Sequence, residues 1–321
     1  MQDWKPHKHL LSHHASPFTA SAWAPYPTKP VRMLVGFAPG GGVDFMARSV
    51  SPRLALAFAQ QFVVDNRSGA NGMIAADIAA KSSPDGHTLL VAPGNYAFAS
   101  AMEKLPLDMT TAFAAVGQMV DSPLLVVVHP SLPVKNIKDL IALAKAQPNS
   151  LAYGSGGVGG AGHMATELFK SIAKVNLRHI PFKGVGPALT DAIAGHVPVC
   201  FCTLPTTLPQ ARAGRLRALA VTTSNRTSAA PDIPTVAEAG VSGYEMSQWY
   251  GILAPVGTPT PILRRLSAEV NNALALPELR ASLVAVGADP VKSSPQEFGI
   301  FFKQEIEKWT RIVKDAGIRP E

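Results

Sequence analysis

Two glycine-rich turns, Phe37-Ala38-Pro39-Gly40-Gly41-Gly42 and Gly154-Ser155-Gly156-Gly157-Val158-Gly159-Gly160, each follow a strand-like apolar run and each open a helix-like pattern. A chain that repeats strand, turn and helix is restricted to α/β folds, in which helices cover a mostly parallel sheet. The same local order aims bare backbone N–H groups at an anion. Glycine lets the backbone come close, and the start of the helix adds a partial positive charge. Two such turns, far apart in the chain, imply two half-sites that face each other.

The alternation holds along most of the sequence. Val31–Val35 reads as a buried strand, and the helix after the first turn carries Phe45, Met46, Ala47, Val50, Leu54 and Phe58 close to a 3.6-residue stripe. Short strands are expected at 63–64 and 88–92, with a polar turn at 66–72 leading into a helix over 73–81. The pattern restarts with a strand at 124–128. Helices follow over 136–147, 163–174 and 187–195, with strands at 177–180, 197–202 and 217–221. A Pro-rich connection with a short helix is expected over 231–240, and helices over 261–274, 277–286 and 295–316 form the tail. At 321 residues the chain is long for one core, so two lobes are the expectation.

Composition narrows the partners. A hydrophobic fraction of 47 % with 16 % charged residues describes an ordinary folded protein, and no apolar run has the length that spans a bilayer. The formal net charge of +7 favours anions, but the basic residues are scattered and not interleaved with aromatics, which speaks against nucleic acid. A small carboxylate or phosphate suits the same charge. Cys200 and Cys202 point the same way on a strand; a disulfide between such close neighbours would strain backbone and bond, so two small buried thiols are expected. The leader is polar and histidine-rich, without the apolar core of a secretory signal, yet Ala22-Trp23-Ala24 has the form of a cleavage site. His7, His9, His13 and His14 there read as a tail and not as a metal site.

The chemistry the residues offer is binding. Gly154, Gly156 and Gly159 spell G-x-G-x-x-G, but the acidic residue that a dinucleotide fold places about twenty residues on is missing. Neither turn is followed by the lysine of a P-loop. Ser155 invites a nucleophile reading, except that Tyr153 stands where an esterase elbow needs glycine. His163 reads as structural or as a donor to a ligand, and Asp44 as a carboxylate that caps a helix start. No triad, carboxylate pair or metal cluster assembles. Micromolar binding requires roughly 8 kcal/mol, whereas one helix dipole offers an anion about 0.3–1 kcal/mol. Several charge-assisted N–H···O bonds, at about 1.5–3 kcal/mol each, supply the difference if two lobes close over the ligand.

These segments together resemble the Bug-type extracytoplasmic solute receptors, the substrate-binding proteins of tripartite tricarboxylate transport systems. The likeness runs from Tyr26 to the C-terminus. It is carried by Tyr26-Pro27-Thr28-Lys29-Pro30, the two glycine turns, Asn66-Arg67-Ser68-Gly69-Ala70, Pro84-Asp85-Gly86-His87, Pro181-Phe182-Lys183-Gly184, Ile233-Pro234-Thr235 and Trp249-Tyr250-Gly251. The resemblance implies an α/β, two-lobed type II periplasmic-binding-protein fold with the ligand cleft between the lobes. Residues 1–25 would be a leader, 26–120 with 251–321 the first lobe, and 121–250 the second. It implies that Phe37, Ala38, Pro39, Gly40, Gly41 and Gly42, with Asp44, hold a ligand carboxylate together with Ser155, Gly156, Gly157, Val158, Gly159 and Gly160, partly through ordered water. By the same analogy Asn95, His163 and Lys183 lie at the cleft.

It further implies a periplasmic monomer with no cofactor and no catalysis, which delivers its carboxylate to membrane permease subunits. Three departures bear on the ligand. Gly160 replaces a small polar residue, Pro198 stands where the family has Asp, and Cys202 replaces another acid. Their loss suggests a plain aromatic or aliphatic acid and not an amino acid. Readings from other classes are an α/β enzyme that uses the second turn for a nucleotide, and a cytoplasmic sensor domain on the same fold.

Overall fold

The computed structural model describes residues 26–102 and 107–317. The expectations placed on the leader, its histidines and its Ala22-Trp23-Ala24 segment lie outside the described residues. The chain begins with β1 (Val31–Val35), α1 (Gly42–Phe58), β2 (Phe62–Asn66), α2 (Met73–Ala80), β3 (Thr88–Pro93), α3 (Asn95–Met102), the single turn α4 (Met109–Ala112) and β4 (Phe113–Asp121). It continues with β5 (Leu124–Val128), α5 (Ile137–Ala146), β6 (Ala152–Ser155), α6 (Ala161–Ala173), β7 (Arg178–Pro181), α7 (Val185–Ala194), β8 (Val199–Thr203), α8 (Leu204–Arg212) and β9 (Arg217–Val221). Then come β10 (Tyr250–Pro255), α9 (Thr260–Ala275), α10 (Pro277–Ala285), β11 (Asp289–Pro290) and α11 (Pro295–Ala316).

Two sheets result, in the orders β11-β4-β10-β3-β1-β2 and β7-β6-β8-β5-β9. Strands that alternate with helices pair in parallel, as β1 does with β2 and β3, and β6 with β7 and β8. The strands beside the two crossings run antiparallel: β10 lies between β3 and β4, and β5 between β8 and β9. The crossings meet as a pair. Ser122 N–H donates to the Gln248 carbonyl at 3.2 Å, and Gln248 N–H to the Ser122 carbonyl at 2.9 Å. This short antiparallel contact links the two sheets, and Thr227 and Ser228 link them again through Asp289 of β11.

The tail closes the first sheet. Trp249, fully buried, meets Phe298, Phe301 and Phe302 of α11 edge-on at 5.6–5.8 Å. Its indole N–H and that of Trp309 both donate to Glu305 Oε2, so neither polar edge is left unpaired in the core. Each such ring contributes about 1.5–3 kcal/mol by its burial.

Several expectations change. Residues 231–240 form turns and no helix. Thr235 and Glu238 cap each other's N–H groups at 2.9 and 3.0 Å, and Gly240 at φ 114° ends the run after a single turn. The helix α8 was not expected, because it contains Pro205 and Pro209; Pro205 lies in the first turn, where its missing N–H has no partner to lose. The two thiols are also a correction. Cys200 and Cys202 are joined as a disulfide. Alternation puts both on one face of β8, and their Cα atoms stand 5.6 Å apart, inside the range that a disulfide bridges.

Candidate functional site

The first glycine turn is built on β1 and supported from behind. Gly36 allows the chain to pass Gly72: a Cβ on it would stand 2.6 Å from the Gly72 Cα. Gly40 takes φ 81°, in the region that favours glycine. Asp44, in the first turn of α1, reaches back, and its Oδ2 accepts the Gly40 N–H at 2.9 Å. The same carboxylate accepts from Arg48 Nε at 2.9 and 3.0 Å and from Asn66 Nδ2 at 3.0 Å. Asn66 Nδ2 also donates to the Phe37 carbonyl. These partners, the Arg48 guanidinium foremost, hold the Asp44 carboxyl below the usual carboxylate range. With Asp44 occupied in this way, α1 starts at Gly41 without a side-chain cap.

The second turn is held by a serine hydroxyl and a histidine ring. Ser155 Oγ is 2.7 Å from His179 Nε2, donates to the Gly157 carbonyl and accepts the Gly157 N–H. His163 Nδ1 accepts the Gly159 N–H at 3.0 Å. An imidazole that accepts there is unprotonated at Nδ1, and burial lowers its pKa from the ordinary 6.5. The rings of Tyr153, His179 and His163 stack at 4.8 and 4.2 Å between centroids. Below them Glu167 Oε1 accepts from Tyr153 Oη and Lys170 Nζ. Gly157 and Gly159 take φ 132° and 70°, and α6 starts at Gly160 with no side-chain cap.

Two further helices begin beside these. α7 starts at Gly184, whose N–H donates to the Gly156 carbonyl at 3.1 Å, and α8 starts at Thr203; both lack side-chain caps. Of the helices that start away from the turns, α4, α5 and α11 carry Asp108, Asn136 and Ser294 as caps, whereas α2, α9 and α10 carry none. The first N–H groups of a helix have no partner within it. At the turns they are left to whatever enters from outside.

The turns face each other across a cleft in three connected sections. The central one, about 270 Å³, lies between Gly41, Gly42 and Val43 on one side and Gly156, Gly160 and Gly162 on the other, with Leu124, Phe201 and Cys202 beneath. Tyr250 and Gln248 enter it from the return crossing. Gln248 donates to Asn95 Oδ1 at 3.0 Å, while its buried Oε1 has no partner among the described residues. One neighbouring section, about 450 Å³, is lined by Asn71, Asn95 and Met102 with Gly156 to Gly160. The other, about 460 Å³, runs from Gly40–Gly42 past Phe45 and Thr206 to Val286. No Asp, Glu, Lys, Arg or His side chain lines any of the three among the described residues.

Of the residues expected at the ligand, Phe37, Gly40–Gly42, Asn95 and Gly156–Gly160 line the cleft. Asp44, Ser155 and His163 stand behind the turns, their polar atoms spent on the turns' own backbone. Ala38, Pro39 and Lys183 are exposed and line none of the three sections. Thr203, the last residue of β8, and Val185, shortly after β7, were missed by sequence reasoning, and the rule that ligands gather at the carboxyl ends of strands finds them. Tyr250 and Gln248 carry no such local signal.

The chain has clear relatives. The profile described as Tripartite tricarboxylate transporter family receptor matches residues 46–318. The chain is 35 % identical over 308 residues to Protein BugT of Bordetella pertussis, covering 95 % of this chain and 94 % of that one. Among solved structures, R. palustris Rpa4515 with adipate matches at 38 % identity and TM-score 0.81, covering 92 % of this chain and all of the other. MatC of Rhodopseudomonas palustris with bound malate matches at 30 % identity and TM-score 0.77, covering 90 % and 100 %. The expected two-lobed solute-binding fold is the fold of these structures.

Proposed function

The chain belongs to the tripartite tricarboxylate transporter receptor family, and on that premise we propose that it closes two lobes over a small organic carboxylate in the periplasm and delivers it to a membrane permease. The first lobe is taken as 26–120 with 251–321, and the second as 121–250. The observation that carries the reading is the pair of uncapped helix starts, α1 and α6, facing one another across a cleft that no charged side chain among the described residues lines. A carboxylate placed between them accepts N–H groups from both turns, which adds bonds from each side as the lobes close. Asp44 and His163 act as positioning residues that keep the turns in shape. Gln248 Oε1 accepts a hydrogen from a ligand hydroxyl or from a water between ligand and protein. The neighbours bound to adipate and malate support a carboxylate ligand. With no group arranged for bond making, the reading is a receptor without catalysis.

A thermal-shift screen of the full chain against mono-, di- and tricarboxylates, amino acids, NAD and ATP tests this. A carboxylate at a hundred times its Kd adds about 2.7 kcal/mol of stability and raises the melting temperature. A shift produced by a nucleotide and by no carboxylate would overturn the proposal.

A further inference from the structure

The section of the cleft beyond the first turn differs from the rest in chemistry. Its far end is formed by Phe45 and Met46 of α1, Val286 and Ala288 of the α10–β11 connection, and Pro205 of α8. The Ser122 and Thr206 hydroxyls along it are already committed, and the Tyr250 hydroxyl stands at the turn, away from this end. Ser122 Oγ donates to the Gly287 carbonyl at 3.0 Å, and Thr206 Oγ1 donates to the Thr203 carbonyl at 3.1 Å while lying 3.0 Å from Thr203 Oγ1. Phe45 belongs by spacing to the apolar stripe of α1, yet its ring is 37 % exposed and lines this limb and not the core. An aromatic ring left in water on the wall of a binding cleft is a contact waiting for an apolar partner.

From this asymmetry we infer that the limb receives the hydrocarbon body of the ligand, and that the ligand is a monocarboxylic acid with an aliphatic or aromatic body, with Phe45 setting the specificity. The inference rests on the carboxylate-receptor reading. The carboxylate sits at the centre, where both turns present N–H groups, and the body extends past Phe45 toward Val286. A second carboxylate at the far end of that body, beside Phe45, Met46, Val286 and Ala288, meets no cation and only apolar side chains among the described residues, so it loses its hydration without replacement. An ammonium group fares no better, because no carboxylate among the described residues lines the cleft.

Isothermal titration of the full chain with butanoate, hexanoate, octanoate and adipate decides the matter. Affinity is expected to rise about fourfold per methylene from butanoate to hexanoate. Adipate, with the same number of carbons as hexanoate, is expected to bind at least about tenfold more weakly. Phe45→Asp, at an exposed position in the first turn of a helix where an acid is tolerated, removes the chain-length gain; Phe45→Leu keeps most of it. Melting curves of both variants confirm that they are folded. Adipate binding as tightly as hexanoate, or a chain-length dependence that survives Phe45→Asp, overturns the inference and leaves the receptor reading intact. No binding by any carboxylate overturns both.

Discussion

The two glycine turns present the same surface to the cleft and are braced in opposite ways. Behind the first stands a charged knot, in which Asp44 accepts from Gly40, Arg48 and Asn66. Behind the second stands a stack of rings, in which His163 and Ser155 hold Gly159 and Gly157 while His179 packs between Tyr153 and His163 and the Glu167–Lys170 ion pair lies below. The difference teaches that a backbone turn leaves its bracing free to vary: on the proposed reading the ligand meets N–H groups, and the side chains that aim them stay out of sight. It also means that the two halves fail for different reasons.

The largest expected effect comes from cutting the charged knot. Asp44→Ala leaves the Gly40 N–H and the Asn66 amide without their acceptor, and is expected to cost about 2–3 kcal/mol in urea melts. Arg48 is more than half exposed and contributes least to that sum. Ligand affinity is expected to fall with the first turn's geometry; unchanged stability and affinity would remove the knot's role. Asp44 has a lowered pKa, so its contribution is present above 3.8 and is lost as pH falls through the lowered value.

A smaller effect separates the two turns by their glycines. A Cβ on Gly162 would lie 2.5 Å from the Phe201 carbonyl oxygen, a backbone atom in the second sheet, whereas one on Gly42 would lie 2.5 Å from the Tyr250 hydroxyl, the end of a side chain. Gly162→Ala is expected to cost about 1–2 kcal/mol, net of the helix propensity it gains. Gly42→Ala costs less, since Tyr250 can turn aside. Equal costs in thermal unfolding would erase the distinction.

The smallest effect is in pH. His163 has a lowered pKa because it is buried, so the unfolded chain binds its proton first as the solution is acidified. Stability is full above about pH 6.5 and declines below it toward the lowered value, where protonation would also turn Nδ1 from acceptor to donor against the Gly159 N–H. Between pH 7.5 and 5.5 the melting temperature is expected to drop. His163→Leu, at a cost of about 1 kcal/mol for the lost acceptor, flattens that decline. A decline just as steep in the variant would place the acid sensitivity elsewhere, with His179, Glu167 and Lys170 the groups around that ring.

Much of this was legible from residues near one another in the chain. The strand–turn–helix order and the positions of both turns follow from glycines and from helix starts, which are local properties. Strands such as β1 and β9 are found with the bounds that their apolar residues suggest. What was illegible depends on pairing. Asn66 braces the first turn because β2 runs beside β1 with Asn66 opposite Val35, and His179 enters the second stack because β7 sets it opposite Tyr153. Read from the residues, Asp44 is a cap and His163 structural or a ligand donor, and only the family resemblance sets them and Ser155 at the ligand; their partners across the sheet were unknown. Gln248 and Tyr250 reach the cleft only because the chain returns there beside Ser122.

By itself, then, the sequence determined where the backbone turns and which turns offer N–H groups, because steric limits on φ and the orphan donors of a helix start act within a few residues. The tertiary structure decided which side chains brace those turns, that Cys200 and Cys202 bond, and that Phe45 leaves the core to line a cleft. Those outcomes depend on strand register and on the packing of distant segments, and no local pattern specifies either.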